Sequence, residues 1–393
     1  MYKVLTFNNI AQAGLQGLPR KRYEVAPDIT DPDAIVLRSY NMHDMDIPIS
    51  VVAIGRAGAG VNNIPIEKLN KRGIPVFNAP GANANAVKEI VIAGLLLAAR
   101  NIYRAWRYAQ ELQDTDDNLD KTIEANKKQF VGFELLGRTL GVVGLGAVGI
   151  EVANAALMLG MKVIGFDPNV TVRNAWKLSS GVEQTETLEQ LFKKSDVVSM
   201  HVPLVKDTSE LVNRDRLALM RKGGVLINFS RSGIVDNEAV LESLDSNYLH
   251  AYVCDFPTED LILHPQVIAL PHLGASTMEA EENCVSMIVE NLKEYLENGN
   301  IRNSVNFPET ILPRVAGTWR ITISNTNVPN MVGQISTCLA KRGLNIKDLL
   351  NKSLGAIAYT VIDLDEPISN KTLGILQRID GILALRNLGK SLS

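Results

Sequence analysis

The stretch Gly141–Gly149 limits this fold more tightly than any other part of the chain. Gly144, Gly146 and Gly149 fall in a G-x-G-x-x-G spacing between an apolar strand-like run, Thr139–Val143, and an apolar helical run, Ile150–Leu159. Such a junction uses its first glycine for a tight turn and its second for close approach of the backbone to a pyrophosphate. The third lets the helix close on the strand. The helix then aims its first N–H groups, those of Ala147 and Val148 among them, at phosphate oxygens. Asp167 closes the next strand, Lys162–Phe166, where a carboxylate can accept hydrogen bonds from both hydroxyls of a ribose and would repel a 2′-phosphate. Strand, turn, helix and acid at these offsets point to NAD rather than NADP.

A chain of 393 residues exceeds what one core usually holds. Short apolar strands, Ala34–Leu37, Val51–Ile54 and Val76–Phe77, alternate with helical stretches ahead of a long helical pattern over Val87–Tyr108. The polar segment 110–130, with its run Gln113–Asn118, reads as an exposed loop or arm. A second alternation follows from Thr139, with strands at Lys162–Phe166, Val197–Met200, Val225–Asn228 and Val267–Ala269 and a helix at Asn237–Asp245. This is the pattern of doubly wound parallel sheets. One helix is expected over Ala280–Asn298, stopped by Gly299, and Asn303–Ala316, with Pro308 and Pro313, has linker composition. The last 75 or so residues read strand, helix, strand, strand, helix, strand. The expected architecture is a flavodoxin-like domain (1–98 with 283–302), a Rossmann domain (99–282), a linker (303–316) and a ferredoxin-like βαββαβ plait (317–393).

Composition excludes several classes of partner. The chain is 46% hydrophobic and 21% charged with a net charge of −3 and no basic block, which argues against nucleic acid. Ile90–Ala99 is too short to span a bilayer, and the N-terminus opens directly as a strand with no signal peptide ahead of it. Three separated cysteines, Cys254, Cys284 and Cys338, suit a reducing compartment, so a cytoplasmic location is expected. No cluster has metal-ligand spacing.

Chemistry is carried by three residues downstream of the glycine turn. Arg231 follows a strand, Glu259 sits in Phe256–Glu259, and His272 lies in the Pro271–Thr277 loop after another strand. Oxidation of a 2-hydroxy acid needs a cation for the carboxylate, a base for the hydroxyl proton and a group that orients the base. At these residues the chain resembles the D-2-hydroxyacid dehydrogenases. Gly55–Ile64, Asn78–Gly81 and His201–Leu204 extend the resemblance over nearly the whole length.

The resemblance implies that Arg231 binds the substrate carboxylate, that His272 is the acid/base and that Glu259 holds its imidazole. It implies cofactor contacts at Val202, Ser230, Asp255 and Gly274, and substrate contacts at Arg56, Ala57, Gly58 and Asn78, with Arg38 a further cation for a phosphorylated 2-hydroxy acid. The remaining histidines, His43, His201, His250 and His264, are read as structural or solvated. Cys254–Glu259 is one residue shorter than the family's usual segment, and the stretch from Glu259 to His272 is also short.

The plait is similar to ACT domains, which pair and bind small ligands, so Asn325, Asn327 and Asn345 are expected to contact an amino-acid effector, L-serine. Pro329–Asn330 stands where the family often has Pro-Gly, and Asn325 where some members carry His. A homodimer or homotetramer is expected. Three readings stay open: turnover of the phosphorylated acid, turnover of another D-2-hydroxy acid, and an NAD- or amino-acid-sensing protein without turnover.

Overall fold

Strands β1 (Tyr2–Thr6), β2 (Tyr23–Ala26), β3 (Ala34–Leu37), β4 (Ala53–Arg56) and β5 (Val76–Phe77) form a parallel sheet ordered β2-β1-β3-β4-β5. β3 is buried along its whole length, as an apolar run between two parallel neighbours should be. The flanking β2 carries Glu24 and escaped the sequence pattern because only Tyr23 in it is buried. The computed structural model describes residues 1–8, 10–112 and 119–391, which divide into two units, 1–82 with 281–393, and 83–280.

The second unit holds β6 (Thr139–Val143), β7 (Lys162–Phe166), β8 (Val182–Gln184), β9 (Val197–Met200), β10 (Gly224–Asn228), β11 (Leu249–Cys254) and β12 (Val267–Ala269). All pair in parallel, in the order β12-β11-β10-β9-β6-β7-β8. Strand order reverses between β6 and β9, where doubly wound sheets leave a crevice beyond the strand ends. Separate apolar clusters cover the sheet, one containing Val142, Val197 and Ile227 and the other Val143, Val198 and Leu226.

The helix expected over Val87–Tyr108 is two helices, Ala84–Ala99 and Ile102–Glu111. Asn101, with φ at 49°, breaks them in a left-handed conformation that asparagine tolerates. Val87, Val91 and Leu95 of the first helix join the core of the second unit, so the division falls after residue 82 rather than 98. Within the segment read as a loop, Leu119–Asn126 is helical, and the Gln113–Asn118 run lies outside the described residues.

The chain leaves this unit along the helix Met278–Asn298 and completes the first unit with β13 (Trp319–Thr326), β14 (Ile346–Leu354), β15 (Ile357–Leu364) and β16 (Ile382–Lys390). Helices Met331–Ala340 and Asn370–Leu376 make this a βαββαβ plait, with an antiparallel sheet ordered β14-β15-β13-β16. Every residue of β15 is buried, because both faces of the strand are covered. Ile362 and Leu364 pack with Ile335 and Leu339 of the plait, whereas Ile357, Tyr359 and Val361 join the core that holds Phe77, Tyr295 and Phe307. The stretch expected to be a linker is buried in part, with Phe307 and Thr310 almost fully enclosed.

Arginines fasten the plait to the end of the helix Met278–Asn298. The last four carbonyls of any helix lack partners within it. Here Arg386 donates to the carbonyls of Tyr295 and Leu296, Arg314 to Glu297 and Arg320 to Asn298, while the Tyr359 hydroxyl donates to Gly299. Positive charge at a helix C-terminus also meets the negative end of the macrodipole. Arg320 is fully buried and pairs with Asp363 through two 2.6 Å bonds; its remaining N–H groups reach the carbonyls of Leu312 and Pro313.

Removing one member of a buried pair strands the other charge. Asp363→Ala should therefore lower stability by about 3–5 kcal/mol in urea unfolding, and the double change R320M/D363L should cost clearly less.

Candidate active site

The glycine turn after β6 is built by close contacts that no side chain would allow. Gly144 has φ at +92°, and a Cβ there would lie 2.6 Å from the His201 carbonyl oxygen. A Cβ at Gly149 would lie 1.9 Å from the Gly144 carbonyl oxygen. The helix Ala147–Met158 can therefore lie against β6 only with glycine at 149. Its N-terminal residue Gly146 has no side-chain cap, and a Cβ built on it would meet nothing within 4 Å. Uncapped N–H groups facing open space are what a pyrophosphate needs.

Asp167, at the end of β7, accepts a bond from the Leu145 N–H at 2.8 Å and so ties the turn to the next strand. Its other oxygen accepts from Asn169, and a carboxylate has lone pairs left for a ribose hydroxyl. His201 and Val202 follow β9 on the opposite lip of the crevice. The His201 ring bonds the Ser199 hydroxyl at 2.8 Å, and burial pushes its pKa down to about 4, which keeps it neutral and structural. These residues fit NAD.

The loops after β10, β11 and β12 carry the other candidates. Asn228 ends β10 fully buried; its Oδ1 accepts from the Ser230 N–H and its Nδ2 donates to the Arg231 carbonyl. The Ser230 hydroxyl donates to the Met200 carbonyl, and the Arg231 guanidinium turns back onto the Ser230 carbonyl at 2.6 Å. Asp255, after β11, is 1% exposed. Its two carboxylate oxygens accept from the N–H groups of Leu273 and Gly274, each at 2.7 Å, and its carbonyl accepts from the His272 N–H. Burial raises the Asp255 pKa, and the two N–H donors act against that rise. His272 is exposed, has φ at +56° and sets its ring 5.1 Å from Phe256.

The expected pairing of Glu259 with His272 is not formed: among the described residues no hydrogen bond or ion pair joins them. Glu259 begins the short helix Glu259–Leu263 and points its charge into solvent near the positive helix end. The carboxylate bonded to the histidine's loop is that of Asp255, and Asn228 was not singled out by its sequence context at all.

In the first unit, Arg56 ends β4 and donates through Nε to the Arg38 carbonyl at 3.1 Å. A Cβ at Gly58 would fall 1.9 Å from Arg56 Nη1, so the guanidinium lies across the Gly58 backbone. Ala57 donates to Leu37, Asn78 donates to the Ala59 carbonyl, and Ala79 donates to Gly58, which together brace the Arg56 turn. Arg38 is ion-paired with Glu281, so its charge is already partnered.

In the plait, Asn327 and Asn345 are engaged with the Gly355 carbonyl and the Asp365 carboxylate. Asn325 is 1% exposed, and its Oδ1 has no hydrogen-bond partner. Asn330 adopts φ at +67°, so asparagine sustains the turn where the family often has glycine. His43, His250 and His264 each bond a neighbouring carbonyl or carboxylate. Among the described residues there is no His, Cys, Asp or Glu group that could hold a metal, and no helix is long and apolar enough to cross a membrane.

Residues 92–274 match the model of the D-isomer specific 2-hydroxyacid dehydrogenase NAD binding domain. The chain belongs to the D-isomer specific 2-hydroxyacid dehydrogenase family. Its relatives include D-3-phosphoglycerate dehydrogenase of Escherichia coli K12, 33% identical over 93% of this chain and 89% of that one. The enzyme of the same name from Methanocaldococcus jannaschii is 36% identical over 72% of this chain, which spans only 54% of that relative's length. Among solved structures, an NAD+-bound 3-phosphoglycerate dehydrogenase of Entamoeba histolytica aligns with a TM-score of 0.62 and 25% identity over 78% of this chain and 98% of that one.

Gly149→Ala must push the helix Ala147–Met158 off the Gly144 carbonyl. NADH binding, followed by fluorescence titration, should weaken at least about tenfold, because the helix N-terminus moves away from the phosphates.

Proposed function

We propose that this chain is an NAD-dependent D-3-phosphoglycerate dehydrogenase, forming 3-phosphohydroxypyruvate in the first step of serine biosynthesis. The observation that carries the reading is the set of adjoining loops after β10, β11 and β12, which present Arg231 and His272 from one sheet end beside the glycine turn. Arg231 takes the substrate carboxylate and polarises the 2-oxygen. His272 removes the C2 hydroxyl proton while the C2–H bond breaks with its electron pair and a carbonyl forms at C2. When bound, the nicotinamide supplies the hydride acceptor. Glu259 remains the candidate partner of the imidazole, to be reached by a change in the short helix that carries it.

Arg56 is assigned the phosphate, since a guanidinium gives two parallel bonds to phosphate oxygens, with Ala57, Gly58 and Asn78 shaping its turn. Arg38, ion-paired with Glu281, is the further cation proposed for the phosphorylated acid. For the plait we propose an ACT role with L-serine as effector, resting on the unpartnered Oδ1 of buried Asn325. A homodimer or homotetramer is supported by the helix Ile102–Glu111, which buries none of its residues and leaves Trp106 60% exposed. A cytoplasmic location accords with the three free cysteines.

NADH formation should be compared for D-3-phosphoglycerate, D-glycerate and D-lactate at alkaline pH. The phosphorylated acid should give the highest kcat/KM, and Arg56→Ala should raise its KM by about 10- to 100-fold, the worth of one hydrogen bond to a charged group. A preference for another acid would move the assignment within the family. NADH binding without any turnover would favour a sensor.

A further inference from the structure

The helix Met278–Asn298 turns one stripe of side chains toward the first sheet. Glu281, Cys284, Ile288 and Leu292 fall three or four residues apart and so share a face. Cys284, Ile288 and Leu292 lie in the core of the first unit. The last two seat the helix on β4, since a Cβ built on Gly55 would come within 2.3 Å of Ile288 Cγ2 and 3.0 Å of Leu292 Cδ1. At its N-terminal end the same stripe brings Glu281 to Arg38, which follows β3, and the two form an ion pair. The Arg38 carbonyl accepts from Arg56 Nε at 3.1 Å and from Asn63 Nδ2 at 3.2 Å. Burial pushes the Cys284 thiol pKa up, Arg56 and Arg38 act against that rise and Glu281 adds to it, so all three charges bear on one buried atom.

The cations assigned to the phosphate therefore come with an acid already in place. A guanidinium presents a planar fork of N–H donors that suits a carboxylate and a phosphate equally. A donor given to Glu281 is closed to a phosphate oxygen, and the carboxylate repels an arriving dianion. The pair is open to water, with each side chain 36% exposed. An ion pair this open is worth up to about fivefold in an equilibrium constant. A phosphate can displace it, at a cost in affinity.

We propose that Glu281 is the resident counter-ion of the phosphate subsite: it holds Arg38 until a phosphate displaces it, which sets phosphate affinity and keeps free phosphate from filling the subsite. The proposal rests on the reading that gives Arg56 and Arg38 to the substrate phosphate. A pair that only held Arg38 in position would act in the opposite sense, because loss of the Glu281 charge would then weaken phosphate binding.

Glu281→Gln keeps the side chain's size and removes its charge. In the full chain at low salt, the Kd for inorganic phosphate, followed by 31P NMR titration, should fall by about 3- to 10-fold. The gain should shrink toward nothing near 1 M sodium chloride, where screening acts within about 3 Å. KM for D-3-phosphoglycerate should fall by the same factor with kcat within about threefold, and D-glycerate should gain nothing. Glu281→Ala should act with the same sign, since the effect is one of charge. In an Arg38→Met background Glu281→Gln should lose most of its effect, because the pair no longer exists.

Inorganic phosphate that binds Glu281→Gln no more tightly than wild type overturns the proposal, and so does an equal gain in the Arg38→Met background. Phosphate that binds neither protein removes the subsite and overturns it as well. Tighter phosphate binding with no matching fall in KM would separate that anion site from the substrate's phosphate and overturn the assignment. Tighter phosphate binding in a protein that turns over no acid would leave the counter-ion standing and sink the dehydrogenase reading alone.

Discussion

The contact on which the nucleotide unit depends is backbone against backbone, the Gly149 Cα against the Gly144 carbonyl. Because a Cβ there would come within 1.9 Å of that oxygen, the helix Ala147–Met158 reaches β6 only through glycine. That approach brings the uncapped helix N-terminus to the point where the strand order reverses, lets Leu145 bond Asp167, and places the turn over His201. The neutral imidazole of His201 follows from the same packing, since burial there disfavours its charged form.

A second constraint organises the other unit. The carboxyl end of the helix Met278–Asn298 offers carbonyls that the helix itself leaves open, and three arginines and Tyr359 donate to them or to the Gly299 carbonyl just beyond. Arg386, Arg320 and Tyr359 come from the plait's strands, and Arg314 from the stretch just before them. With Ile357, Tyr359 and Val361 buried in the same core as Phe77, the sheet of the plait has its helices on one face and the first domain on the other. An effector held at Asn325 would therefore act on a body that includes β1–β5, not on a tethered module.

Much of this was legible as local pattern. The glycine spacing, the alternating strands and the βαββαβ order all leave periodic or conformational marks, and their elements lie within a few residues of where the pattern puts them. β2 and β8 were missed because they are short edge strands with exposed residues, and β11 because His250 interrupts its apolar run. The long helix was over-read across Asn101, whose left-handed backbone no apolar periodicity reveals.

The arginine caps and the backbone bonds of Asn228 and Asp255 were not legible for a different reason. Their acceptors and donors are largely backbone groups, which have no residue type to read. Asn228 looked like an ordinary strand end, yet its side chain bonds the Ser230 N–H and the Arg231 carbonyl. Pro308 and Pro313 looked like a linker although Phe307, within the first unit, is buried in its core. Glu259, expected beside His272, instead opens a helix and faces solvent.

The most direct test of the account concerns His272. Wild-type protein and His272→Ala should be saturated with NAD and given D-3-phosphoglycerate, with NADH absorbance followed in single-turnover and steady-state regimes. The account predicts hydride transfer in the wild type and a loss of about 10²–10⁴-fold in the variant, the usual worth of a general base, with NADH binding retained. Equal rates in the two proteins would contradict it, because the proton would then have to leave by another group.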